Sequence, residues 1–271
     1  MTTPRFSTVS LATGVRLHYG EQGEPAGEPI ILLHGTSDSW FSFSRVLELM
    51  NRRHRVFALD QRGHGESDRP PGGYGMPDLA GDVLAFMDAK GLRKATIVGH
   101  SMGSFVAQHA AARAPDRVAG LVLVGSAASC RNDVMFELQR AVNALSDPVP
   151  EKFARDFQVS TVFHPVPEAF MERAIQESLR LPAYVWHAAV AGMVASDATA
   201  PLGEIQARTL ALSGDRDSIF SRSEQEAIES GVRGAVLKLY PETGHALHWE
   251  RPEEFVRDLE EFLNRDGRHP E

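Results

Sequence analysis

Short, uninterrupted apolar runs alternate with helical segments through the first half of the chain, and this alternation constrains the fold most strongly. Apolar runs of this length are typical of strands that are buried on both faces of a sheet. The segments at 76–92 and 102–115 carry apolar residues at helical spacing. Alternation of strand and helix predicts βαβ units around a mostly parallel sheet. The four runs are "PIILLHG" (29–35), "HRVFALD" (54–60), "ATIVGH" (95–100) and "VAGLVLVGS" (118–126).

Both ends of the chain extend this pattern. "FSTVSL" and "VRLHYGE" flank Ala12-Thr13-Gly14 and predict a hairpin. "RTLALSG" (208–214) and "AVLKLY" (235–240) predict two further strands, and "PEEFVRDLEEFLNR" predicts a closing amphipathic helix. The expected fold class is therefore α/β, with eight strands in a mostly parallel sheet flanked by helices.

The middle of the chain has a different pattern. Between about 128 and 203 no buried strand is evident, and helical segments are separated by prolines at 148, 150, 165, 167 and 182. We expect an all-helical insertion over 128–203, and a core formed by 1–127 and 204–271.

Composition excludes several classes of function. The 271 residues carry a net charge of −8, which disfavours nucleic acid or an anionic membrane as the partner. The single cysteine allows neither an intrachain disulfide nor a zinc cluster. The N-terminal "MTTPRFSTVS" lacks the apolar core of a signal peptide, and no apolar run approaches 18 residues. We expect a cytoplasmic protein that acts on a small molecule; the oligomeric state is not predicted.

Gly99-His100-Ser101-Met102-Gly103 matches the pattern G-x-S-x-G, between a predicted strand and a predicted helix. In that context the pattern describes a sharp turn that presents the serine hydroxyl above the edge of the sheet. A serine hydroxyl is a weak nucleophile until a base removes its proton and a third group orients the base. Ser101 is thus predicted to be a nucleophile with two partners elsewhere in the chain.

Candidates for both partners follow the last two predicted strands. His245, in "ETGHALHWERP", is the predicted base, because it follows the last strand in a loop at the edge where sites of parallel sheets form. Asp215 and Asp217, in "SGDRDSIF", both qualify as the acid. Asp217 is preferred because it lies further into the loop, whereas Asp215 could cap the turn.

The anion formed during acyl transfer needs hydrogen-bond donors, commonly two backbone N–H groups. One is predicted from Met102, directly after the nucleophile. The other is predicted from Thr36, after the close turn at His34-Gly35. No metal or organic cofactor is required by this chemistry.

Five segments together resemble the α/β-hydrolase superfamily. They occur in the family's order and spacing, and the helical region falls where the family carries its cap. Serine at position 101 disfavours the epoxide hydrolases and haloalkane dehalogenases of this fold, which use aspartate there. The resemblance also implies that "DQRGHGES" is a structural turn. The segments are "HGTSDSW" (34–40), "LDQRGHGESDRP" (59–70), "VGHSMG" (98–103), "ALSGDRD" (211–217) and "TGHALHWERPEEF" (243–255).

These observations predict a serine hydrolase that cleaves a small carboxylic ester or lactone through an acyl-enzyme. Carbon–carbon bond hydrolysis and cofactor-free haloperoxidase or perhydrolase chemistry remain alternatives on the same triad, as does a non-catalytic small-molecule sensor. Six residues are expected as pocket walls. They are Trp40 and Phe41 on the core side and Phe136, Trp186, His187 and Met193 on the cap.

Overall fold

The computed structural model describes residues 4–196 and 202–264. Within these residues eight strands form one sheet, in the order β1-β2-β4-β3-β5-β6-β7-β8. The strands β3 to β8 pair in parallel, whereas β1 pairs antiparallel with β2, and β2 antiparallel with β4. The predicted fold class and hairpin are thereby confirmed. The strands are β1 (Arg5–Ser10), β2 (Arg16–Gly23), β3 (Pro29–Leu33), β4 (Arg55–Leu59), β5 (Ala95–His100), β6 (Val118–Val124), β7 (Arg208–Gly214) and β8 (Val236–Tyr240).

Helices cover both faces of the sheet and form the segment between β6 and β7. No helix within the described ranges combines the length and the apolar character needed to cross a bilayer. The α-helices are α1 (Ser44–Leu49), α2 (Met76–Ala89), α3 (Met102–Arg113), α4 (Asp133–Asn143), α5 (Glu151–Ser160), α6 (Glu168–Leu179), α7 (Ala183–Ala195), α8 (Arg222–Gly231), α9 (Leu247–Glu250) and α10 (Pro252–Asn264).

Strand β3 shows why the central strands are continuously apolar. Ile31 and Leu33 belong to a core cluster that includes side chains of α2 and α3. Ile30 and Leu32 belong to a second cluster that includes side chains of α1 and α10. Successive side chains of a strand point to opposite faces, so a sheet covered on both faces needs apolar residues at every position.

Helix α2 follows the predicted periodicity. Its apolar positions Leu79, Val83, Phe86 and Met87 are all buried. The helix ends at Ala89, and Gly91 follows with a φ of +65°. A glycine in this left-handed conformation is a common way to terminate a helix.

Three helices of the core, α1, α8 and α9, were not predicted. Helix α8 buries only Gln225 and Ile228, so its apolar periodicity is weak. Its N-terminus nevertheless carries a signal, since the Ser221 N–H and hydroxyl both donate to the Glu224 carboxylate at 2.6 Å. Ser-x-x-Glu at a helix start is a recognised capping pattern. Helix α1 has only six residues and buries Val46 and Leu47.

The segment between β6 and β7 contains α4 to α7 and no strand among its described residues. Part of the predicted insertion, 197–201, lies outside the described residues. Helices α4 and α7 pack together, as do α5 and α6. The cap boundaries at 128 and 203 remain a prediction.

Candidate active site

Ser101 stands at the junction of β5 and α3, with a φ of +49°. Positive φ is uncommon for residues other than glycine and marks a strained turn. Its N–H donates to the Val124 carbonyl at 2.9 Å, and its carbonyl accepts from the Ser104 N–H at 2.8 Å. The neighbouring strand and the first turn of α3 therefore hold the serine in this conformation.

The two glycines of the motif are required by close approach. A Cβ atom at Gly99 would lie 2.2 Å from the Gly103 carbonyl oxygen. A Cβ atom at Gly103 would lie 2.3 Å from the Leu33 carbonyl oxygen. The end of β5 is thus packed against the first turn of α3, and that turn against the end of β3, so tightly that no side chain fits at either position.

His245 and Asp217 form a buried pair. The Nδ1 atom of His245 lies 2.9 Å from Oδ2 of Asp217, and each side chain is 1% exposed. The other Asp217 oxygen, Oδ1, accepts from the backbone N–H groups of Ile219 at 2.8 Å and Phe220 at 3.1 Å. Asp215 does not contact His245: its side chain is 37% exposed and lies 3.8 Å from Arg216. The structure therefore brings the preferred carboxylate to the histidine.

Ser101 and His245 line one cavity. The Nε2 atom of His245 is buried and has no hydrogen-bond partner among the described residues, so it can accept a proton from a group in the cavity. The cavity volume is about 10 Å³, which is room for about one water molecule. Its other lining residues are Gly35, Thr36, Asp38, His100, Phe157, Gln158, Thr161, Ile219 and Trp249.

The two predicted anion donors both lie close to Ser101: Met102 follows it in the chain, and Thr36 lines the same cavity. The Met102 N–H belongs to the first turn of α3, where N–H groups lack intrahelical acceptors and the helix dipole is positive. Thr36 lines the cavity and is 6% exposed. Its hydroxyl donates to the Met193 sulfur at 3.1 Å, which connects this loop to α7.

The loop that carries Thr36 is anchored to the loop after β4. The Nδ1 atom of His34 lies 2.7 Å from the Gly35 carbonyl, and its Nε2 accepts from the Gln61 N–H at 3.0 Å. The Asp60 carboxylate accepts from the Trp40 N–H at 2.7 Å. Residues of "DQRGHGES" therefore make hydrogen bonds that hold the loop after β3 in place.

Burial keeps the other imidazoles at the site neutral. It lowers the pKa of His248 to about 3 and that of His100 well below its usual value, and it lowers that of His34. Burial also raises the pKa of Asp38 to about 6, although hydrogen bonds from Gln158 and Ser42 oppose the change. No group of three or more His, Cys, Asp or Glu side chains within 4–196 and 202–264 is placed to hold a metal ion.

None of the six expected pocket walls lines the Ser101 cavity. Trp186 is fully buried and lies behind the cavity, with its ring centroid 5.3 Å from that of Phe157. Met193 contacts Thr36 from behind. The sequence assigned both residues to a helix, but helical spacing does not define which neighbour each side chain meets.

The remaining four also lie away from the cavity. Trp40 and Phe41 line a separate groove with residues of β2, α1 and α6, and Trp40 packs against Phe6 at 4.5 Å between ring centroids. Phe136 packs against the core cluster that contains α2 and α3. His187 is half-buried, and its Nε2 has no partner in the described part of the chain.

Sequence reasoning missed three polar residues that line the cavity, Asp38, Gln158 and Thr161. Asp38 lies three positions after Gly35 inside "HGTSDSW", so a charged residue in an otherwise buried loop was a signal that could have identified it. Gln158 comes from α5 and donates to Asp38 Oδ1 at 2.9 Å. No local pattern indicates that this glutamine meets a residue 120 positions away.

Comparison with known proteins gives a consistent result. A family model described as "alpha/beta hydrolase fold" matches residues 28–252. A 2-hydroxy-6-oxononadienedioate/2-hydroxy-6-oxononatrienedioate hydrolase of Paraburkholderia xenovorans is 26% identical over 96% of this chain and 95% of its own length. A non-heme haloperoxidase of Rhodococcus erythropolis is 27% identical over 94% and 98%. A thermophilic esterase of Thermogutta terrifontis superposes with a TM-score of 0.84 and 26% identity, over 96% of this chain and 98% of that one.

Proposed function

The chain belongs to the α/β-hydrolase family, and from this premise we propose that it is a serine hydrolase that cleaves a small carboxylic ester or lactone. One observation carries the proposal. Ser101 is held at a strained turn in the same cavity as His245, whose Nδ1 is paired with a buried carboxylate and whose Nε2 is unpartnered in the described structure. Nucleophile, base and orienting acid are the three parts that acyl transfer requires.

In the first half of the reaction, the Ser101 hydroxyl attacks the substrate carbonyl carbon. Nε2 of His245 takes the hydroxyl proton, and Asp217 stabilises the charged imidazole that results. The two N–H groups of Thr36 and Met102 donate to the carbonyl oxygen as it becomes negative. The imidazolium then gives its proton to the departing alcohol oxygen, which leaves an ester between Ser101 and the acyl group.

In the second half, a water molecule attacks the acyl carbon while Nε2 of His245 takes its proton. The bond to Ser101 breaks, the serine oxygen recovers the proton, and the carboxylic acid leaves. For a lactone the alcohol and the acid are parts of one molecule, so a single hydroxy acid is released. Ser101, His245 and Asp217 end the cycle unchanged.

The cavity is small, because about 10 Å³ is room for about one water molecule. Entry of an acyl group therefore requires the cavity walls to move, and Phe157 and Gln158 of α5 belong to those walls. The esterase among the structural neighbours, at 26% identity, adds support for ester hydrolysis.

The test is hydrolysis of p-nitrophenyl acetate and a panel of small lactones by the native protein and by Ser101→Ala. We expect Ser101→Ala to lose turnover and the native protein to gain the mass of one acyl group when the reaction is quenched early. Ser160→Ala changes an exposed serine of α5 and serves as the control. Turnover that survives Ser101→Ala in a folded protein would refute the assignment.

A second candidate is carbon–carbon bond hydrolysis on the same triad. The 26% identical relative whose name describes hydrolysis of a dienedioate favours it. Loss of the absorbance of a conjugated dienoate substrate, with simple esters inert, would establish this activity. Oxidation that depends on both halide and peroxide would instead support haloperoxidase chemistry, in line with the 27% identical haloperoxidase. Tight binding of a ligand with no turnover of any of these substrates would support a sensor.

A further inference from the structure

A carboxyl group and an imidazole that the proposed reaction does not use line the Ser101 cavity. Asp38 is 5% exposed and His100 is 3% exposed. Placing a charged group and a polar ring in a closed cavity is unfavourable unless they meet partners. Such groups at a reaction cavity are candidates for binding the substrate.

Asp38 is held in place but retains capacity to accept. Its Oδ1 accepts from the Gln158 amide at 2.9 Å, and its Oδ2 accepts from the Ser42 hydroxyl at 3.2 Å. A carboxylate has about four lone-pair sites, so each oxygen can accept a further hydrogen bond. The two existing bonds fix the orientation of the carboxylate before a ligand arrives.

His100 has unused hydrogen-bonding groups. Both of its ring nitrogens are buried and neither makes a hydrogen bond of ordinary geometry with a described residue, although the His245 backbone carbonyl is a nearby acceptor that favours the protonated ring. Burial lowers its pKa well below the usual value, so the ring is neutral and carries one N–H. The Asp38 carboxylate, whose Oδ2 lies 4.0 Å from Nδ1, favours the tautomer with that N–H on Nδ1.

The space between these two groups fits one oxygen atom. A separation of 4.0 Å is too long for a hydrogen bond between Nδ1 and Oδ2. An oxygen about 2.8 Å from both atoms would make two ordinary hydrogen bonds at an angle of roughly 90°. His100 Nδ1 lies near the nucleophile, because a Cβ atom placed on Gly35 would lie 3.0 Å from this nitrogen and 3.2 Å from Ser101 Cβ.

We propose that Asp38 and His100 form a subsite that selects esters or lactones with a hydroxyl group within two carbons of the scissile carbonyl. A hydroxyl donates to the Asp38 carboxylate and accepts from the His100 N–H, so it satisfies both groups with one atom. An alkyl substituent satisfies neither, and an ammonium group cannot accept from His100. The inference rests on the proposed function, because the subsite is defined relative to the carbonyl that Ser101 attacks.

The test compares three ethyl esters: butanoate, 2-hydroxybutanoate and 3-hydroxybutanoate. We expect the native protein to favour at least one hydroxy ester over butanoate by about 10-fold or more in kcat/KM. Asp38→Asn and His100→Phe should each bring this ratio close to one. Ser160→Ala changes an exposed residue of the helix that carries Gln158 and should keep the native ratio. A native ratio near one, or a ratio that Asp38→Asn leaves unchanged, would overturn the inference.

A binding measurement separates this inference from the proposed function. Ser101→Ala protein is mixed with each ester, and binding is followed by ligand-observed NMR. Binding of a hydroxy ester that is at least 10-fold tighter than that of butanoate, and that is lost in Ser101→Ala/Asp38→Asn, supports the subsite even where native turnover is absent. Equal binding of the three esters overturns it even where Ser101-dependent hydrolysis is observed.

Discussion

Asp217 Oδ2 lies 2.9 Å from His245 Nδ1, although the two residues are 28 positions apart in the chain. Two backbone N–H groups of the loop after β7 donate to the other carboxylate oxygen of Asp217. These bonds fix the orientation of the carboxylate independently of His245. The geometry therefore distinguishes Asp217 from Asp215. The sequence provided only a preference for Asp217 between these two candidates.

The first prediction concerns this pair. Asp217→Asn should lower kcat for p-nitrophenyl acetate by about 10³- to 10⁴-fold, because an amide N–H facing Nδ1 stabilises the wrong imidazole tautomer. Asp215→Asn is the matched control and should stay close to native, since its side chain is 37% exposed and does not contact His245. Equal losses in the two variants, or a loss confined to Asp215→Asn, would contradict the assignment.

The second prediction concerns the shape of the cavity. Phe157→Ala should increase kcat/KM for p-nitrophenyl hexanoate relative to acetate by about 10-fold, because a ring is removed from the cavity wall. Phe153→Ala is the control: it lies on the same helix and packs on Trp186 at 5.4 Å, compared with 5.3 Å for Phe157, but does not line the cavity. The prediction fails if both variants change the preference for acyl length equally.

The third prediction concerns the tight turn. Gly103→Ala should lower the free energy of unfolding by about 1–3 kcal/mol or more, because the added Cβ would lie 2.3 Å from the Leu33 carbonyl oxygen. Gly72→Ala should have little effect, since a Cβ there meets no atom within 4 Å. Urea unfolding measures both, and a native-like midpoint for Gly103→Ala would contradict the packing of α3 against β3.

The fourth prediction concerns pH. Burial lowers the pKa of His64 and of His248 to about 3, from 6.5. Between pH 6.5 and 3 the unfolded chain binds protons that the folded chain does not, so these residues make the protein less stable as the pH falls. Asp38 acts in the opposite direction between pH 3.8 and 6, because its pKa is raised to about 6.

The measurement is the free energy of unfolding at pH 7.5 and pH 5.5. Each buried neutral histidine should contribute about 1.4 kcal/mol to the loss on acidification over this interval. His248→Gln should reduce the loss by about that amount, whereas His164→Gln, which changes an exposed residue, should not. An identical loss in the native protein and in His248→Gln would show that His248 is not buried in its neutral form.

The sequence predicted best those strands and helices that are buried in a regular way along their whole length. A strand covered on both faces needs an apolar residue at every position, and a helix on the sheet needs one apolar stripe, so β3 and α2 have clear patterns. Helix α8 buries two residues and shows no such pattern. The helices between β6 and β7, α4 to α7, have apolar residues at helical spacing, but this spacing does not define which neighbour each side chain meets.

The sequence by itself determined the order of the eight strands, the strand-to-helix turn at Ser101 and the loops that carry His245 and the two candidate acids. These follow from local rules of burial, turn chemistry and spacing. Only the tertiary structure decided that Asp217 meets His245, that Trp186 lies behind the cavity and that Asp38 and Gln158 line it. Those contacts join residues 28 to 120 positions apart, and the packing of whole elements sets where each side chain points.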